Sequence, residues 1–264
     1  MICSLEDDFG FPLLNRAKSG VVLTDEGRHI YELCVQLLEK QEQISNTIEQ
    51  IKGSVIGTIR VGAYASVLMN WFPHIVEEVR NRYPKLELQI VEGNANELFH
   101  MMLHDDIDVG ILSSSASEEF TFIPLYKDPI VAIMERGHPL SEHDYLDISD
   151  LLPYPFLVKP EHAQGILKEI LNSQTAQTSS SYSVRSDNAM LYLVGKGLGI
   201  GVVGEMVAAY SPFVDYRRFA KDYHRTIGIA VPNWKPQTTA LRTFVDIIRE
   251  LYQEEEFREL ETAQ

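Results

Sequence analysis

Along residues 24–52, seam positions fall at Ile30, Cys34, Leu37, Gln41, Ile44, Ile48 and Ile51, with spacings that alternate between four and three. That is a heptad pattern, with Cys34, Gln41 and Ile48 at a and Ile30, Leu37, Ile44 and Ile51 at d. It predicts one helix about 43 Å long at 1.5 Å per residue. Thr24 can cap its start by accepting a first-turn N–H. Asp25 and Glu26 complement the positive end of the helix dipole, and Gly53 stands where helices commonly end. So narrow a stripe on so long a helix points to a partner helix; packing against its own domain is the alternative. Gln41 interrupts the stripe, as a polar residue that fixes register does.

Before this helix, residues 2–9 read as the end of a helix stopped by Gly10. Pro12 then begins an extended piece, residues 16–20 form a polar turn, and residues 21–23 form a short strand. After it, residues 57–62 alternate as a strand with Ile59 and Val61 on one face. Residues 66–83 read as a helix with Leu68, Phe72, Ile75, Val76 and Val79 on one side; Pro73 either kinks it or sits in its first turn. Leu86, Leu88 and Ile90 alternate as a strand, Asn96 can cap a helix to Leu103, and residues 108–112 are a short apolar strand. This order implies parallel pairing with helices on both faces. Further strands are expected at 122–134, 155–159, 182–185, 200–203 and 226–231. Helices are expected at 161–171, from a cap at Asp187 or Asn188 to Lys196, at 205–210, and at 236–253. The last presents Leu241, Phe244, Val245, Ile248 and Leu251 inward. Residues 172–181 read as an exposed connection, and the acidic tail from Glu254 as frayed.

Composition narrows the function classes. The formal net charge of −15 argues against a diffuse electrostatic grip on nucleic acid, so any DNA contact must come from a local patch. Over residues 1–60 Asp and Glu outnumber Lys and Arg, which does not help. The two cysteines, Cys3 and Cys34, make no disulfide framework and fit a reducing cytosol. No basic, apolar leader precedes the first helix and no apolar run reaches membrane-spanning length, so a cytoplasmic protein without membrane contact is expected.

The pattern Ile2-x-x-Leu5-Glu6-x-x-Phe9-Gly10-x-Pro12-Leu13-Leu14-x-Arg16, followed by Val22-Leu23-Thr24-x-x-Gly27, resembles the N-terminal region of LysR-type transcriptional regulators. The resemblance continues through the rest of the chain. It implies an α/β fold: a two-lobed, periplasmic-binding-protein-like effector domain preceded by a long linker helix. Residues 1–23 would be the remnant of a winged helix-turn-helix, comprising the end of the recognition helix and the wing. Residues 24–53 would be the linker and dimerisation helix. Residues 54–124 with 224–253 would form one effector-binding subdomain, and residues 125–223 the other. In the family, a small effector binds between the lobes and homodimers or homotetramers control transcription on DNA. Helix-turn-helix proteins read bases with the start of the recognition helix. Here the matching pattern begins inside that helix, so most of the reader is expected to be absent. The alternatives are a sensor or dominant-negative dimerisation partner without DNA binding, and an extracytoplasmic solute-binding protein. The absent leader, the linker and the wing disfavour the last.

Open parallel sheets bind ligands at the C-terminal ends of their strands. Tyr64, Ala65 and Ser66 follow the first strand of the effector region and open a helix, so their N–H groups and the Ser66 hydroxyl could hold an acceptor. Ser113 and Ser114 follow the 108–112 strand, Lys159 ends the 155–159 strand, and Gly204 follows the 200–203 strand. The family resemblance places these segments at the effector cleft. Locally, Ser66 could simply cap its helix, Ser113 and Ser114 could form an ordinary polar loop, and Lys159 is by default solvated. An organic anion or an amino acid suits such a cleft. Arg16, Lys18 and Ser19 fall where the wing approaches DNA and would contact phosphate without reading sequence.

Two other motifs carry no chemistry. Gly199-Ile-Gly201-Val-Val-Gly204 matches a dinucleotide fingerprint but runs through a strand that follows a helix, the wrong order. His100 and His104 lack a third metal ligand. No nucleophile elbow or Cys/His pair stands at catalytic spacing. No catalytic residue, cofactor or metal is expected.

Overall fold

The computed structural model describes residues 2–17, 20–52, 55–113, 119–159, 181–234 and 238–254. The expected helix at 161–171, residues 172–180 of the connection after it, Gly53, Lys18, Ser19 and Ser114 lie outside the described residues, while Ser181, expected to end that connection, begins a strand.

The chain opens with α1 (Ile2–Phe9), stopped by Gly10 at φ +77°. A hairpin follows, β1 (Leu14–Ala17) with β2 (Gly20–Leu23), paired antiparallel from Leu14↔Leu23 to Ala17↔Gly20. Arg16 therefore lies in a strand rather than in the expected turn. The Glu6 carboxylate accepts the N–H groups of Leu13 (2.8 Å) and Leu14 (3.0 Å). Those bonds, that of Leu14 foremost, hold Glu6 below the usual carboxylate range.

Helix α2 spans Asp25–Lys52. Thr24 caps it as expected, its hydroxyl accepting the Gly27 N–H at 2.8 Å while donating to the Pro12 carbonyl at 2.8 Å. A Cβ on Gly27 would fall 2.0 Å from the Leu13 carbonyl oxygen, so a glycine is what lets the helix seat on the hairpin base. Farther along, the seam faces outward: Leu37 is 65 % exposed, Ile44 63 % and Ile48 45 %. Cys34 and Gln41 are exposed and Ile30 half-buried. The Ile51 side chain lies outside the described ones.

Two sheets form the body. The first has the order β4 (Leu86–Glu92), β3 (Gly57–Ala63), β5 (Val109–Ser113), β12 (His224–Pro232) and β6 (Phe120–Glu135). Here β3 pairs parallel with β4 and β5, while β12 runs antiparallel to both β5 and β6. The second sheet starts from the far half of β6. On one side it adds β10 (Ile200–Gly204), β8 (Phe156–Val158) and β9 (Ser181–Ser183). On the other it adds β11 (Val214–Phe219) and β7 (Tyr145–Leu146). The sixteen-residue β6 thus belongs to both sheets. A bulge beside Ile227 and Gly228 skips Leu125 in its pairing with β12.

Both faces of each sheet are covered, as parallel strands require. On one face of the first sheet lie α3 (Ala65–Asn70), α4 (Phe72–Arg82) and α9 (Thr239–Tyr252). On the other, α5 (Ala95–Leu103) brings Leu98 and Met102 against Phe120. The second sheet is covered on one side by α7 (Asp187–Gly195) and α8 (Glu205–Ala209). On its other side lie a 3-10 turn (Pro139–Glu142) and α6 (Ile148–Leu151).

Several expectations need correction. The helix expected over residues 66–83 is two helices that meet at Trp71, because Pro73 opens the second rather than kinking one. Asn94, not Asn96, caps α5, in a reciprocal capping box with Glu97. Ser186, not Asp187 or Asn188, caps α7 through the Ala189 N–H. Strands β7 and β11 carry no alternation that the sequence reading caught. Glu254, expected to be frayed, donates its N–H to the Leu125 carbonyl at 2.8 Å and accepts the Lys127 N–H at 3.1 Å.

Phe244 on α9 is fully buried in the first core. Truncation to Ala should cost about 3–5 kcal/mol of stability. The measurement is urea unfolding, and an unchanged midpoint would show that α9 does not hold this core together.

Candidate functional site

The C-terminal ends of β3 and β5 meet one another directly. The Tyr64 phenol lies 3.0 Å from the Ser113 hydroxyl, and the Tyr64 N–H reaches the Ile111 carbonyl at 3.4 Å. Ser113 is thus the last residue of β5 rather than part of a loop. Tyr64 is the cap position of α3 but makes no side-chain capping bond, and Ala65 is the first helical residue.

Ser66 does not cap the helix. It is 1 % exposed, and its hydroxyl accepts the Arg225 guanidinium at 3.3 Å. Arg225 donates through Nε to Asp128 at 2.8 Å. The other oxygen of Asp128 accepts the Met206 N–H at 3.0 Å, at the start of α8. Asn70, at the end of α3, donates to both the Ser66 carbonyl (2.7 Å) and the Met206 carbonyl (2.8 Å). One network therefore ties α3, the two crossing strands and α8. Gly204 admits it: a Cβ there would lie 2.1 Å from the Asp128 carboxylate and 2.7 Å from Arg225. Asp128 is wholly buried. Burial pushes its carboxyl up, and the pull of Arg225 and of the Met206 N–H offsets only part of that rise.

A second polar group lies in the lobe of the second sheet. Lys159 is not solvated: it is 8 % exposed and its ammonium sits 2.7 Å from Asp187. The Tyr210 phenol donates to Asn188 at 3.2 Å. Burial, then the charges of Asp187 and Glu92, push it up to about 12, so it remains a neutral donor at any physiological pH. Arg225, 5.8 Å from the Tyr64 ring, is felt by Tyr210 as well. The arrangement offers hydroxyls and phenols flanked by compensated charges. It holds no nucleophile–base pair among the described residues.

Sequence reasoning missed Asp128, Arg225, Asn70, Asp187 and Tyr210. Asp128 and Arg225 stand directly opposite each other on β6 and β12, but nothing local marks two residues so far apart in the chain as partners. Of the residues expected to contact DNA, Arg16 is engaged within the chain: its Nη2 lies 3.0 Å from the Cys3 sulfur and 3.4 Å from Glu6. Cys3 and Glu6 both raise its pKa, Cys3 most.

Residues 52–253 match the family model for the LysR substrate binding domain. The chain is 27 % identical to an uncharacterised HTH-type transcriptional regulator, YvbU, of Bacillus subtilis, over 95 % of this chain and 87 % of that protein. Among solved structures, OxyR of Corynebacterium glutamicum aligns with a TM-score of 0.64 at 21 % identity, covering 94 % of this chain and 82 % of that one. The effector binding domain of QuiR in complex with shikimate aligns with a TM-score of 0.64 at 20 % identity, covering 75 % of this chain and 97 % of that one. Among the described residues, no helix is long and apolar enough to cross a membrane.

Removing the Asp128 carboxylate would strand the Arg225 charge, which is 17 % exposed in its side chain. Asp128→Ala should therefore destabilise the protein by about 3–5 kcal/mol. Calorimetry that finds the variant as stable as the wild type would show that the ion pair is not needed.

Proposed function

The chain belongs to the LysR family of transcriptional regulators, and from that membership we propose that it senses a small molecule in the crevice between its lobes. What supports this reading is a polar group near the strand ends of each sheet, with the Arg225 charge beside the first acting on Tyr210 of the second. Tyr64, Ser66 and Ser113 lie on one side, and Lys159, Asp187 and Tyr210 on the other. Ala65 and Gly204 supply the backbone around them. A ligand bridging the two groups would favour one lobe angle, and only a difference in affinity between the angles can drive a change. The linker helix would carry that change to DNA-bound subunits, and Arg16, once freed from Glu6, would contact phosphate without reading sequence.

The effector class this reading favours is a small hydroxylated carboxylate or an amino acid. Hydroxyl and phenol donors suit such groups, and the QuiR effector domain holds shikimate. In a thermal-shift screen of small carboxylates and amino acids, a fitting ligand at a hundred times its dissociation constant should add about 2.7 kcal/mol. Ser66→Ala should weaken that shift. No stabilisation by any member of the panel would count against this ligand class.

Pairing through the linker is the second part of the proposal. The outward seam of α2 would bury its apolar residues against a second copy. Replacing Leu37 and Ile44 with Asp should lower the mass read by light scattering to that of smaller assemblies, and an unchanged mass would sink the idea.

A further inference from the structure

A cavity of about 570 Å³ lies apart from the strand-end crevice, between the end of α3, the start of α8, β11 and the end of α9. None of Tyr64, Ser66, Ser113, Lys159 or Gly204 lines it. Its walls are aromatic: Trp71, Tyr126, Tyr216 and Tyr252. Trp71 and Tyr252 stack with ring centres 4.2 Å apart, and Tyr126 meets Trp71 edge-on at 6.0 Å. The Tyr252 hydroxyl donates to the Trp71 carbonyl at 3.1 Å, so the stacked pair is held in place. Two carboxylates, Glu205 and Glu254, line it as well, alongside Leu251, Ala209, Gln253, Asn70 and Met206.

These carboxylates are not equivalent. Glu205 receives two bonds from Arg218, at 3.1 and 2.5 Å, and its charge is compensated. Glu254 is positioned by backbone, through its own N–H and that of Lys127. Among the described residues no cation pairs with Glu254, so the cavity keeps a negative bias beside its aromatic rings. An anion would be repelled. A positive charge on an apolar body would be attracted by the carboxylate while its apolar part packs against the rings. The volume is within the range of small-molecule sites.

We propose that this cavity binds a small alkylammonium ion, with its charge directed to Glu254 and its alkyl groups against the aromatic walls. The site is distinct from the effector crevice. Asn70 and Met206, which line it, belong to the network that joins the two lobes. Occupancy would therefore bear on the same lobe angle from a second position.

The chain has two tryptophans, Trp71 and Trp234, so Trp234→Phe leaves Trp71 as the only indole reporter. In that background, choline should change Trp71 fluorescence saturably, and its neutral isostere 3,3-dimethylbutan-1-ol should not. Adding Glu254→Gln should weaken the choline response roughly fivefold, while adding Lys159→Met, in the crevice, should leave it unchanged. Equal responses to choline and the alcohol would overturn the proposal. So would a choline response that Glu254→Gln leaves alone, or one that Lys159→Met alone abolishes.

Discussion

Asp128 and Arg225 face each other across antiparallel strands at the place where β6 leaves one sheet for the other. A buried carboxylate is costly unless its partner and its remaining lone pairs are satisfied. Here they are satisfied by groups from separate parts of the fold. The guanidinium belongs to β12, the second donor is the Met206 amide, and Ser66 receives what Arg225 has left. Gly204 is excluded from having a side chain by the same pair. The positions of α3 and α8 relative to the crossing strands thus follow from satisfying one buried charge.

The two strands that cross are also the only described strands shared between the sheets or leading straight from one to the other. A change of lobe angle has to pass through them, so groups clamped across them set its range. Asn70 adds a bond to each lobe at this point. Ser66, beside the strand ends, and Met206, in the wall of the aromatic cavity, both belong to this clamp.

Much of the fold was legible in the sequence because it rests on local period. The heptad of α2, the Thr24 cap, the alternation of β3 and the inward face of α9 are all written within a few residues of one another. Where local rules compete, the reading slipped. Asn94 and Asn96 are both plausible caps, and only the reciprocal bond with Glu97 decides between them. Trp71 ends one helix and precedes another because Pro73 opens a new first turn, which periodicity alone cannot see. The candidate site was legible as positions at strand ends but not as chemistry. Lys159 looks solvated until Asp187, twenty-eight residues on, is folded beside it. Asp128 and Arg225 become partners only through the register of β12 on β6.

The order of strands has a consequence for how the chain matures. In the first sheet β5 is flanked by β12, whose residues pair as Ile229 with Ile111, so more than a hundred residues must be made before that edge is closed. The segment between them supplies the second sheet. During synthesis the inner lobe has its strands β7 to β11 in hand while the outer lobe still shows the open edge of β5. Closing a loop of that length carries an entropic cost that grows only slowly with its size, but exposed edges invite wrong pairing. A nascent chain of this topology benefits from folding its middle before its beginning.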